Sequence, residues 1–137
     1  MARAQGYGDN FAGYRDWLQH EAVVIVQVEH IQAVKDLPEI LAVEGVDGFM
    51  VGPYDLSGSL GVPGDWTHPK MTEALARIRE VGGASDKAPG IHVIEPDPEA
   101  ARQKVAEGYR FIAYSLDIRM LDHACRQGLQ TIRSFKE

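Results

Sequence analysis

Residues 22–28 read AVVIVQV and run directly into Glu29 and His30. Apolar β-branched residues at successive positions, rather than alternate ones, predict a strand buried on both faces, as in a parallel sheet covered by helices. A carboxylate at the tip of such a strand is costly unless it meets a partner, an ion or a cleft.

The pattern repeats downstream. HIQAVKDLPEILAV has helical spacing through Ile31, Val34, Leu37, Ile40 and Leu41, with Pro38 predicting one kinked helix or two short ones. VDGFMVG (46–52) is the second predicted strand, followed by a Gly- and Pro-rich loop and then a helix, PKMTEALARIREVGG, with Pro69 in its first turn. APGIHVI (88–94) is the third strand. Its helix has Asp97 as N-cap, Pro98 at the first position and Gly108 as terminator. RFIAYSL (110–116) is the fourth strand, and a fourth helix from Ile118 to about Phe135 is expected to be capped by Asp117. Residues 1–21 are a lead-in; residues 22–137 form four βα units of one domain, with no linker between them.

Four successive βα units mean an α/β fold with a parallel sheet. An open doubly wound sheet and an arc of a (β/α)₈ barrel both fit. The 137 residues are too few for a complete barrel of about 250. In either case chemistry belongs at the C-terminal ends of the strands.

The net charge of −6, without a basic run, excludes nucleic acid as a partner, and no apolar stretch approaches the length of a membrane span. The single cysteine, Cys125, forbids an internal disulfide; a reducing, cytoplasmic setting is expected, with Cys125 buried in the last helix as a small hydrophobe.

At the strand ends stand Gln27, Glu29 and His30; Asp55; His92 and Glu95; and Ser115 and Asp117. Glu29 and Asp55 follow adjacent strands, about 5 Å apart in the sheet. Two hard oxygen ligands with no cysteine nearby suit Mg²⁺ or Mn²⁺. The bland alternative is that each carboxylate caps a helix or pairs with Lys or Arg. Gly52 and Pro53 present the N–H groups of Tyr54 and Asp55, a plausible carboxylate cradle. His92 is expected to be a packed, hydrogen-bonded histidine, and His30 to point away from Glu29. His20, His68 and His123 are expected in solvent, and Trp17 and Trp66 as packing or rim residues.

Together, VIVQVEHIQAVKDLPEILAVEGVDGFMVGPYDLSGSLG, HPKM, APGIHV and GYRFIAYSLD resemble the class II pyruvate-dependent aldolases, of the phosphoenolpyruvate/pyruvate barrel superfamily that also holds the citrate lyase β chains. The resemblance implies half of a TIM barrel, its last four βα units. It implies Glu29 and Asp55 as ligands of Mg²⁺, Mn²⁺ or Co²⁺, with Gln27 supporting the water shell. Gly52, Pro53, Tyr54 and Asp55 would hold the carboxylate of pyruvate or another 2-oxo acid. The implied activity is metal-dependent aldol cleavage or condensation of 2-oxo-hydroxy acids, giving pyruvate and an aldehyde.

The family's first half supplies an arginine and a His–Asp pair for proton movement. Arg3 and Arg15 match no such motif, so no catalytic acid or base is assigned. A silent scaffold, or half of a complex, is therefore the competing reading, and a citrate-lyase-like acyl-CoA lyase a weaker one. Exposed sheet edges further predict a homo-oligomer.

Overall fold

The computed structural model describes residues 2–135. A 3₁₀ segment (Arg3–Gly8) and helix α1 (Phe11–Glu21) precede the sheet and bury no residue. The strands are β1 (Ile25–Val28), β2 (Gly48–Val51), β3 (Ala88–Val93) and β4 (Phe111–Tyr114). All are parallel and in the order β1-β2-β3-β4. A doubly wound sheet reverses its order at a switch point. This one does not, and the sequential order decides for a barrel arc.

Between the strands lie α2 (Ile31–Lys35), α3 (Leu37–Leu41), α4 (Pro53–Ser59), α5 (Pro69–Gly83) and α6 (Pro98–Ala106), and α7 (Asp117–Ser134) closes the chain. The expected interruption at Pro38 produces two short helices, with Asp36 between them. Asp97 caps α6 as expected, its carboxylate accepting from the N–H groups of Glu99 and Ala100.

One face of the sheet is covered. Val28, Phe49, Val51 and Ile91 pack with Val34, Leu37, Leu41, Met71, Ala74 and Ile78 from the helices, all buried. Register gives the reason: Val28, Val51, Ile91 and Ile112 lie in one cross-strand row, so their side chains leave the sheet on the same side. The opposite face carries Ile25, Met50, Ala88, Phe111 and Ala113, none of them fully buried, and Phe111 is 41% exposed.

Three expectations are corrected. The loop after β2 begins with helix α4, held by Pro53 in its first turn and by the Ser57 hydroxyl donating to the Tyr54 carbonyl (2.7 Å). Asp117 does not cap α7: Leu116 occupies the N-cap position, and among the described residues the Asp117 carboxylate accepts only from the N–H of Ile118 (2.7 Å). Cys125 is exposed rather than buried, because α7 buries none of its residues. That helix leaves Ile118, Leu121, Leu129 and Ile132 open to solvent.

Candidate functional site

The C-terminal ends of β1 and β2 and the first turn of α4 form the floor of a cleft of about 530 Å³. Gln27, Gly52, Pro53, Tyr54 and Asp55 line it, joined by His92, Ile94 and Glu95 from β3 and its end, and by Leu116, Ile118 and Arg119 from the start of α7. The five residues expected around the carboxylate cradle thus come together.

Glu29 reaches the same place over Gly52. A Cβ added to Gly52 would lie 2.9 Å from the Gln27 amide nitrogen, 3.2 Å from Glu29 Cβ and 3.2 Å from Glu29 Oε2. Gly52 is also the N-cap of α4, and Asp55 sits in that helix's first turn, where the helix dipole favours a carboxylate. The first intrahelical bond runs from the Leu56 N–H to the Gly52 carbonyl, so the N–H groups of Tyr54 and Asp55 have no acceptor within the helix.

Among the described residues neither Glu29 nor Asp55 makes a side-chain hydrogen bond or ion pair. The bland alternative of a cap bond or a Lys or Arg partner is therefore not what the structure contains. Glu29 is half-buried and Asp55 exposed. Two uncommitted carboxylates beside an amide and a side-chain-free floor suit a hard divalent cation. No cluster of three or more His, Cys, Asp or Glu arranged for a metal occurs among the described residues, so such an ion would take its other ligands from water or substrate.

The remaining histidines separate by role. His30 is exposed and caps α2, with Nδ1 accepting from the Gln32 N–H (3.1 Å). His68 caps α5 in the same way through the Lys70 N–H (3.2 Å). His20 and His123 are exposed. His92 is part-buried and hydrogen-bonded, as expected, yet it also lines the cleft. Trp66 is a rim residue, meeting Tyr54 edge-on at 5.0 Å between ring centres.

Arg119, in the first turn of α7, is a cleft residue that the sequence analysis did not single out. It sits at the cleft mouth, donating to Glu95 (2.5 Å) and to Asp122 (3.4 Å). The Glu95 carboxylate holds its guanidinium above the usual arginine range. The nearby strand end offered a signal in retrospect: Arg119 is only two residues beyond Asp117.

Residues 5–124 match the HpcH/HpaI aldolase/citrate lyase family. The chain belongs to that family. It is 38% identical over 135 residues to the hydroxypyruvate/pyruvate aldolase of Paraburkholderia phytofirmans, covering 96% of this chain and 50% of that protein. It is 36% identical to the 2-keto-3-deoxy-L-rhamnonate aldolase of Escherichia coli, covering 99% of this chain and 50% of the relative. The crystal structure of an HpcH/HpaI family protein from Burkholderia cenocepacia superposes with a TM-score of 0.83 at 42% identity, over 97% of this chain and 51% of that one. This HpcH/HpaI chain therefore spans about half the length of the relatives it matches.

Proposed function

We propose that this HpcH/HpaI chain carries the metal- and substrate-holding part of an aldolase site acting on 2-oxo acids such as pyruvate. Glu29 and Asp55 hold a divalent cation, Mg²⁺, Mn²⁺ or Co²⁺, and the Gln27 amide orients its water shell. Gly52 leaves the floor open, and the N–H groups of Tyr54 and Asp55 receive the acid's carboxylate, with Pro53 fixing the turn. The cation, when bound, supplies positive charge where the 2-oxo acid develops negative charge during carbon–carbon bond cleavage or formation. The observation that carries this reading is the pair of carboxylates, Glu29 and Asp55, that have no side-chain partner among the described residues and stand at the floor formed by Gly52 and the Gln27 amide. The aldolase sense, rather than an acyl-CoA lyase, is supported by the names of the relatives above.

The test follows the methyl protons of pyruvate by NMR in D₂O, with Mg²⁺ and with a chelator. Metal-dependent exchange that disappears in Glu29→Gln supports the reading. No exchange from a protein shown to bind the metal favours the silent scaffold, because no residue here is assigned as acid or base and losing such a group forfeits about 10²–10⁴-fold.

The same reading includes self-association. Among the described residues the outer edges of β1 and β4 have no neighbouring strand, the open face exposes Phe111, and α7 buries no residue. A second copy covering these surfaces gives a mass in solution above the 15.1 kDa of one chain. A clean monomer refutes it.

A further inference from the structure

The cleft is not chemically uniform. Gln27, Gly52 and Asp55, at the ends of β1 and β2, give it polar groups, whereas Ile94, Leu116 and Ile118, beyond β3 and β4, give it an apolar flank. The charged groups on that flank hold each other: Glu95 is ion-paired with Arg119, which also reaches Asp122. A second cavity, of about 310 Å³, adjoins this flank. Five residues, Pro53, Tyr54, His92, Ile94 and Glu95, line both spaces, so the two share a wall.

The second cavity lies on the helix-covered side of the sheet. Met71, Ile91 and Val93 form its buried floor, Leu75 and Ala100 its half-buried sides, and exposed Trp66 stands at its rim against Tyr54. Lys104, which also lines it, is ion-paired with Glu107 at 2.8 Å. Among the described residues no charge lining this cavity is thus left to receive a charged group. An apolar cavity of about 150 Å³ already accommodates benzene, so this one has room for a phenyl ring and the carbons that link it to the cleft. A small-molecule site of this kind, apolar with few polar groups, selects by shape and burial. Aldol chemistry needs such a second pocket, for the carbonyl compound that joins the 2-oxo acid, and it must open on the first.

We propose that the second cavity is an acceptor pocket, holding the uncharged apolar group, aryl or branched alkyl, of an aldehyde that joins the 2-oxo acid. In that step the methyl carbon of pyruvate bonds to the aldehyde carbon and the methyl proton ends on the aldehyde oxygen, so no further reactant is required. The protein then takes apolar aldehydes in preference to those that end in a carboxylate. This rests on the reading that the acid's head sits at Glu29 and Asp55.

The test uses the full chain with Mg²⁺ and 2-oxo acids that lack a 4-hydroxyl and so cannot be cleaved. Calorimetry compares 2-oxo-4-phenylbutanoate with 2-oxopentanoate and 2-oxoglutarate, which carry a methyl and a carboxylate in place of the phenyl ring. The phenyl acid binds about tenfold or more tighter than the methyl acid, because its ring leaves water, and the dicarboxylate gains nothing. Ala100→Phe, which fills the cavity, removes that preference and leaves pyruvate affinity within about twofold of wild type, Ala100 being apart from the acid's head. No preference for the phenyl acid, one that survives Ala100→Phe, or tighter binding of 2-oxoglutarate than of 2-oxopentanoate overturns the proposal. If the phenylalanine variant fails to fold, Trp66 decides. With Trp17→Phe it is the one indole left of the two in the chain. The phenyl acid shifts its emission and 2-oxopentanoate does not; an unmoved emission overturns the assignment. Failure of pyruvate to bind, or of Mg²⁺ to raise Tm, overturns the underlying site instead. Benzyl alcohol, which needs no metal, still shifts the Trp66 emission in that case, so the two failures are distinguishable.

Discussion

Gly52→Ala separates the site from the fold. Gly52 has φ −95° and ψ 92°, which alanine adopts without strain, so the substitution acts only through space. The new methyl meets the mobile end of Gln27 at 2.9 Å and Glu29 Cβ at 3.2 Å. Gln27 can swing aside, while Glu29 must shift by a few tenths of an ångström. Against this, alanine lowers the entropy of the unfolded chain, worth about 0.4–1 kcal/mol. The two effects oppose each other, and metal-free stability stays within about 1 kcal/mol of wild type.

The metal response behaves differently, because Glu29 and the floor of the cleft are what the methyl displaces. With Mg²⁺ at a hundredfold its Kd, wild type gains about 2.7 kcal/mol, a rise of about 10 °C in Tm for a domain of this size. A variant binding more than tenfold weaker keeps less than about half of that rise. The assay is a thermal melt of both proteins with and without Mg²⁺. A full Mg²⁺ shift in Gly52→Ala refutes the placement of the metal site, and a large metal-free loss refutes the packing argument.

Other substitutions test the frame. Gly90→Ala drives a methyl to 2.6 Å from the Phe49 carbonyl and 2.9 Å from that of Phe111, both backbone, and should cost about 3 kcal/mol in urea unfolding; an unchanged midpoint contradicts the register. The Tyr109 hydroxyl is buried and no hydrogen bond of good geometry reaches it among the described residues, so Tyr109→Phe should be neutral or stabilise by about 1 kcal/mol. Burial pushes that hydroxyl up to about 12. The folded pKa is raised, so stability is level below about pH 10 and falls between about pH 10 and 12, a fall absent in Tyr109→Phe melts over that range. Cys125 should react with a thiol reagent without denaturant, whereas protection would place α7 against a partner.

The strands were legible because VVIVQV and GFMVG are short, nearly unbroken apolar runs bounded by polar, Gly and Pro residues, and the two carboxylates because they follow closely on those runs. Helix α4 was not, since Gly58 and its flanking serines have poor helix propensity; the turn forms through Pro53, the buried Leu56 and the Ser57 hydroxyl, contacts that exist only once β2 is in place. The expected cap at Asp117 failed because Ser115 turns the chain early, and no sequence feature marks a left-handed serine. Cys125 was misplaced for another reason: helical spacing reveals an apolar face but not what covers it. His92 lay in plain view as a strand residue, and only the fold put it at the wall of the cleft.

The sequential strand order has a consequence for how the chain folds and how it tolerates cutting. Each strand pairs only with the strand of the adjoining unit, so no pairing must wait for distant ends to meet. Ordering can begin at any of the three strand pairs and spread outward, as in a short repeat array. A nick in the 61–67 connection would leave β1 with β2 and β3 with β4, two pieces whose only lost covalent tie spans the β2–β3 ladder and the shared core beneath it. Such pieces should find each other again when mixed.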